Sequence, residues 1–297
     1  MQSEKIMVIA HAITPRHVET AAARPNYIAA ADGTELFYRD WGKGRPLLFL
    51  SGWTLNSAMW GYQMHPLVAQ GFRCIAYDRR GHGLSSDPGR GYDYDTLADD
   101  LATLIEALEL RDVVVVAHSF SSAEIVRYLT RHGGTRISGV LMLAPAAIPF
   151  LIKTDDNSSG IPSEWLLANE TELKEDFSGW AERRSQAYFA HQGSRGIIDA
   201  TLAMMNQATY QAAIELADIQ ATTDFRPELL GIKTPMLFIH GDADASIPLE
   251  VTSRPACDLL ENARLVIYKD APHGLYFTHK AQLNRDIADF ASSVQRA

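Results

Sequence analysis

Apolar positions along the chain fall into two alternating kinds of run. Short, wholly apolar or β-branched stretches predict strands at Pro46–Leu50, Arg73–Tyr77, Val113–Val116, Val140–Leu143, Pro235–His240 and Ala263–Ile267. A run without polar alternation is what a strand covered on both faces requires. Between these runs the apolar residues adopt helical spacing. Leu97, Leu101, Leu104, Ile105 and Leu108 mark a helix over Tyr94–Leu108, and similar patterns cover Ala123–Arg131, Leu249–Leu260 and His279–Val294. Tyr27–Ala30 and Leu36–Trp41 read as two strands joined at the turn signal Asp32-Gly33. The alternation predicts an α/β fold built on a mostly parallel, doubly wound sheet.

The alternation breaks between residues 146 and 226, where helical spacing continues without a convincing strand and aromatic residues accumulate: Trp165, Phe177, Trp180, Tyr188, Phe189 and Tyr210. This segment is either a helical layer packed on the sheet or a cap over a site, inserted late in the sheet. The expected organisation is a leader over residues 1–25, a core formed by 26–145 and 227–297, and a helical cap over 146–226. In the leader, Ile6–Ala10 is too short for the apolar region of a secretory signal. No apolar run approaches the ~20 residues that span a bilayer.

Composition narrows the functional classes. The 297 residues are 46% hydrophobic and 21% charged, as in an ordinary enzyme-sized globular chain. The net charge of −9, with basic residues only in scattered pairs, argues against nucleic acid as a partner, because phosphate binding needs a basic face. Two cysteines, Cys74 and Cys257, read as buried free thiols and suit a reducing, cytoplasmic setting. The sequence leaves room for a homo-oligomer. No metal-ligand spacing is present, and no metal or cofactor is expected.

Chemistry enters at Val113-Val114-Val115-Val116-Ala117-His118-Ser119-Phe120-Ser121. A serine stands where a β-branched strand meets a helix, flanked by small residues two before and two after. A nucleophile elbow needs this arrangement, since the turn is tight and strand and helix approach closely. A plain serine N-cap would look the same locally, and the usual G-x-S-x-G glycines are replaced by Ala117 and Ser121. Two downstream loops favour the elbow. His240-Gly241-Asp242-Ala243-Asp244 follows one strand, and Asp270-Ala271-Pro272-His273-Gly274 follows the next. The order serine, acid, histidine at three strand ends fits a catalytic triad of Ser119, Asp244 and His273. Asp242 competes with Asp244; the latter is preferred, farther past the strand. Ser51-Gly52-Trp53 ends another strand and can present a backbone N–H, with the Phe120 amide as second donor of an oxyanion hole. His82, in Asp78-Arg79-Arg80-Gly81-His82-Gly83, reads as part of a tight connection whose arginines tie loops together. His118, next to the nucleophile, reads as packing.

On Ser51-Gly52-Trp53, Asp78–Ser85, the elbow, Gly241-Asp242-Ala243-Asp244 with Ile247-Pro248, and Ala271-Pro272-His273-Gly274, the chain resembles the cofactor-free haloperoxidase-like group of the α/β-hydrolases, which includes arylesterases and perhydrolases. The resemblance runs from about Asn26 to the C-terminus. It extends to Ile148-Pro149, Lys153-Thr154-Asp155 and Gly160-Ile161-Pro162, which look like the entry into that group's cap. It implies an α/β-hydrolase fold, Ser119 as nucleophile, His273 as base, Asp244 as its orienter, and the Trp53 and Phe120 amides as the oxyanion hole. It also implies carboxylic ester hydrolysis through an acyl-enzyme, without metal, haem or flavin, and peracid formation in some members. Thr54 stands where peroxidase-competent members commonly carry proline, so only weak perhydrolase activity is expected. The expected ligand is a small apolar or aryl ester or lactone, held by Trp53, Phe120, Trp165, Phe189 and Ile247. A lactonase, a carbon–carbon bond hydrolase with the same triad, or a non-catalytic receptor on this fold are the alternatives. Dehalogenases and epoxide hydrolases are disfavoured, since those relatives use aspartate where this chain has Ser119.

Overall fold

A computed structural model describes residues 26–295, so the expected leader lies outside the described residues. The strands are β1 (Tyr27–Ala29), β2 (Glu35–Gly42), β3 (Arg45–Leu50), β4 (Phe72–Tyr77), β5 (Val113–His118), β6 (Ile137–Leu143), β7 (Met236–Gly241) and β8 (Ala263–Tyr268). They form one sheet in the order β1-β2-β4-β3-β5-β6-β7-β8. β1 and β2 pair antiparallel, as the turn at Asp32-Gly33 predicts, and β2 runs antiparallel to β4. The remaining pairs are parallel.

Helices α1 (Gly61–Ala69), α2 (Tyr94–Ala107) and α3 (Ser121–His132) connect the first parallel strands. Between β6 and β7 the chain runs through α4 (Ser163–Glu175), α5 (Phe177–Tyr188), α6 (Arg195–Met205), α7 (Tyr210–Thr222) and the short α8 (Arg226–Leu229). The short helices α9 (Ser253–Asp258) and α10 (Leu275–Thr278) precede the closing helix α11 (Lys280–Ser293). Among the described residues no helix is long and apolar enough to cross a membrane.

The unalternated apolar runs arise because both faces of the sheet are covered. Successive strand residues point to opposite faces. Leu48, Leu50, Val113 and Val115 pack with Leu97 and Leu101 of α2 and Ile125 of α3. Their neighbours Leu47, Phe49, Val114 and Val116 pack with Met64 and Leu67 of α1 and Leu283 and Ile287 of α11. These residues are fully buried, each contributing roughly 1.5–3 kcal/mol of transfer free energy.

Three local expectations change. α1 is absent from the sequence pattern because Gly61 and Pro66 disguise it. Pro66 has no N–H for the Tyr62 carbonyl, and Asn284 Nδ2 of α11 donates to that carbonyl instead (2.9 Å), so the helix survives its proline. α9 is shorter than the predicted Leu249–Leu260 helix. A helix begun at Leu249 would put Pro255 in its interior; starting at Ser253 places it in the first turn, where no N–H is needed. Of the two free thiols, Cys74 is buried but Cys257 is only half-buried.

Candidate active site

β5 delivers Ser119 to the carboxyl edge of the sheet, where the chain turns at once into α3. Ser119 holds φ +56, a left-handed backbone that non-glycine residues seldom adopt. The strain is held by surrounding bonds. The Ser119 N–H donates to the Leu143 carbonyl of β6 (3.0 Å), and the Ser119 carbonyl accepts from Ala146 N–H (3.2 Å) and Ser122 Oγ (2.6 Å). The missing glycine at Ser121 is explained by its hydroxyl. It is fully buried within reach of the Leu50 (3.0 Å) and His118 (2.9 Å) carbonyls, so it ties the elbow to β3.

Two further strand ends meet this serine. His273 Nε2 lies 2.9 Å from Ser119 Oγ, and His273 Nδ1 lies 2.7 Å from Asp244 Oδ2. Asp244 Oδ1 accepts the backbone N–H groups of Ser246 (2.9 Å) and Ile247 (3.0 Å). The loops carrying acid and base touch at Gly241, where a Cβ would come within 1.9 Å of the Ala271 carbonyl oxygen; only glycine allows the approach. Burial raises the Asp244 carboxyl, but the charge of His273 and hydrogen bonds from His240 and His273 outweigh it and hold the group well below the usual carboxylate range. Asp242 is exposed and points away, its Oδ1 accepting the Asp270 N–H (2.6 Å).

His273 is enclosed by aromatic rings. His118 and Tyr188 lie 5.0 and 5.2 Å from the His273 ring. His118 Nε2 lies 3.2 Å from the His273 carbonyl and donates to it. Burial, reinforced by the nearby charge of His273, pushes His118 down to about 3, so it stays neutral. His82 does not join the site. It is buried with Nδ1 beside the Arg80 carbonyl (2.9 Å), and burial followed by the charge of Arg79 pushes it down to about 3.

Ser51, Gly52 and Trp53 pass close to the elbow: a Cβ on Gly52 would lie 2.7 Å from His118 Nδ1 and 3.4 Å from Ser119 Cβ. Among the described residues no acceptor takes the backbone N–H of Trp53 or of Phe120. Thr54 follows with φ +60 and its hydroxyl on the Trp53 carbonyl (2.7 Å). The arginine pair does tie loops together. Arg79 donates to the Ser51 carbonyl (2.9 Å) and pairs with the wholly buried Glu124 of α3 (2.8 Å), while Arg80 pairs with Asp100 (2.7 Å).

Above Ser119 lies a cavity of about 730 Å³, walled by Trp53, Leu151, Leu173, Trp180, Ile198 and Met205 among others, with Ser119 and His273 on its floor. Trp53, Trp165, Phe189 and Ile247 line it. Phe120 does not: its ring is fully buried, stacked on Tyr94 (5.3 Å) beneath the Arg79 guanidinium (4.9 Å). Its place next to Ser119 does not carry its ring into the cavity. Trp165 is 70% exposed at the mouth, whereas Phe189, 1% exposed, is at once cavity wall and core, packed on Tyr188, Tyr276 and Phe277. Sequence reasoning missed Tyr188 and His240, which touch His273 and Asp244. His240 stands four residues before Asp244, a spacing that carries no signal in a strand-to-loop segment.

A family model described as the alpha/beta hydrolase fold matches residues 45–280. The chain is 37% identical over 266 residues to a non-heme chloroperoxidase of Kitasatospora aureofaciens, covering 87% of this chain and 96% of the relative. It is 30% identical over 284 residues to a bifunctional esterase/perhydrolase of Acinetobacter calcoaceticus, covering 90% and 99%. Among solved structures, an esterase from Exiguobacterium antarcticum is similar with a TM-score of 0.86 at 27% identity, over 91% of this chain and 100% of the other.

Proposed function

Because the chain belongs to the α/β-hydrolase family, in its haloperoxidase-like group, we propose that it is a serine esterase working through an acyl-enzyme on Ser119. The observation that carries this reading is the hydrogen-bonded chain from Ser119 Oγ through His273 to Asp244, at 2.9 and 2.7 Å. Ser119 Oγ attacks the ester carbonyl as its proton passes to His273 Nε2. Asp244 holds the imidazole with Nδ1–H toward itself and stabilises the imidazolium. The Trp53 and Phe120 amides, both without acceptors among the described residues, receive the oxyanion, Phe120 from the start of α3. The tetrahedral intermediate collapses as His273 returns the proton to the departing alcohol. Water, giving a proton to His273, then attacks the acyl carbon and releases the acid and free Ser119.

In this reading residues 146–226 act as a cap, and its apolar wall selects small apolar or aryl esters. Peroxide replacing water in the second step would yield a peracid. In this reading the side activity is weak, because the peroxidase-competent members that the chain resembles commonly carry proline where Thr54 stands, and Thr54 holds φ +60, which proline cannot adopt. The test is hydrolysis of p-nitrophenyl acetate and butyrate by wild type and Ser119→Ala. The variant folds and loses ~10⁴–10⁶ in kcat. Undiminished turnover would refute the reading, and a wild type that binds esters without turnover would make the protein a receptor.

A further inference from the structure

Asp244 serves two histidines. His240, at the end of β7, is fully buried, and its Nε2 faces Asp244 Oδ2 (3.1 Å) and the Ile247 carbonyl (3.0 Å). Its Nδ1 faces Ser253 Oγ (2.7 Å). A nitrogen set against a carboxylate and a carbonyl must carry a proton, and the serine hydroxyl at the other nitrogen can donate to it. The surroundings therefore place a proton on Nε2, and both ring nitrogens are satisfied. Asp244 then has four donors: two backbone N–H groups on Oδ1 and two histidine N–H groups on Oδ2.

We propose that His240 is a positioning residue for Asp244: by donating to the same oxygen that orients His273, and itself held by Ser253, it fixes the carboxylate's rotation and disperses part of its charge, and so sets the basicity of His273. This rests on the triad reading given above. A donor to a carboxylate stabilises the anion. Withdrawing it leaves Asp244 more strongly negative toward His273, favouring the imidazolium. Activity needs neutral His273, so the acid limb of the kcat/KM profile moves to higher pH. The other groups facing His273 are Ser119, His118 and Tyr188. His118 is already neutral, and burial holds the Tyr188 hydroxyl well above its usual range. Neither changes charge between pH 5 and 9.

The test compares two shortened or extended amides. His240→Asn ends near the depth of Nδ1, keeping a polar atom beside Ser253 but none for Asp244, whereas His240→Gln carries an N–H out to the Nε2 position. With p-nitrophenyl butyrate, His240→Asn should raise the acid limb by about half to one pH unit and lower kcat about tenfold with KM unchanged, since His240 does not line the cavity. His240→Gln should restore most of both. An unmoved acid limb in His240→Asn, or equal losses in both variants, would overturn the proposal in favour of packing. Histidine ¹⁵N resonances of the wild type need no variant: at pH 8 His240 should be the Nε2–H tautomer, and Nδ1–H would overturn it. Asp244→Asn in the same assay separates the two ideas. If it keeps most of its activity, the triad reading fails; if it loses activity while His240→Asn leaves the profile in place, only the role of His240 falls.

Discussion

Replacing Asp244 by asparagine tests the site sharply, because the surroundings dictate how the new amide must lie. Two backbone N–H groups, from Ser246 and Ile247, point at Oδ1 from 2.9 and 3.0 Å, so the amide oxygen has to occupy that position. Its NH₂ is then forced to the Oδ2 position, 2.7 Å from His273 Nδ1. An NH₂ there requires an acceptor, so His273 carries its proton on Nε2 and donates to Ser119 instead of receiving from it. The base is lost through the tautomer, and His240, whose Nε2–H faced the same oxygen, must readjust as well. Such a change costs on the order of 10⁴ in kcat, about 5–6 kcal/mol of transition-state stabilisation. Asp242→Asn provides the control. Its Oδ1 accepts only the exposed Asp270 N–H, which an amide oxygen also accepts, so kcat should stay within about twofold. Steady-state hydrolysis of p-nitrophenyl acetate by the two purified proteins, with melting temperatures to establish folding, decides the matter. If Asp244→Asn keeps more than about a tenth of wild-type kcat, or if the ranking of the two variants reverses, the assignment of the acid is wrong.

Other outcomes follow from the same geometry. Trp165→Ala, at the exposed mouth, should change the ratio of kcat/KM between aryl and short-chain esters while Tm moves by no more than about 2 °C. Phe189→Ala, also a core residue, should lower Tm by on the order of 10 °C; a larger Tm loss for Trp165→Ala would reverse their roles. His82 and His118 are both held near 3 in the folded protein, below their unfolded value of about 6.5, so the unfolded chain binds more protons below that value. Their contribution is complete above about pH 6.5 and is lost as pH falls toward 3. His82→Asn should flatten the slope of unfolding free energy between pH 6 and 4 by about one proton's worth, and an unchanged slope in urea titrations would contradict this. Exhaustive EDTA treatment should leave ester turnover intact, since every proposed step belongs to a side chain or backbone amide; a loss restored by zinc would refute that.

The sheet was legible because its inner strands are covered on both faces, which writes burial into the sequence as unbroken apolar runs such as Val113–Val116. The residues at Ser119, Asp244 and His273 were legible for a related reason: parallel strands end on one edge, so polar residues just past three strand ends converge. What stayed hidden depends on partners distant in sequence. α1 needs Asn284 to donate to the carbonyl that Pro66 leaves free. The Phe120 ring turns toward Tyr94 because Arg79 and Tyr94 form its bed. His240 gains its meaning only when Ser253 and Asp244 fold onto opposite nitrogens.

The helices between β6 and β7 touch the floor of the cavity through their own backbones. The Tyr188 carbonyl, at the end of α5, accepts the N–H of Gly274, next to His273, at 2.8 Å. The Ala213 carbonyl of α7 accepts the indole N–H of Trp53 at 2.9 Å. Main-chain carbonyls are indifferent to side-chain identity, so natural drift can rewrite the cavity wall residue by residue while both anchors persist. Wholesale exchange is another matter. A chimaera that imports this segment from a relative inherits a new specificity only if its donor places a carbonyl at each of those two points; otherwise the graft unsettles the base and the oxyanion turn together, and a well-folded recombinant emerges inactive.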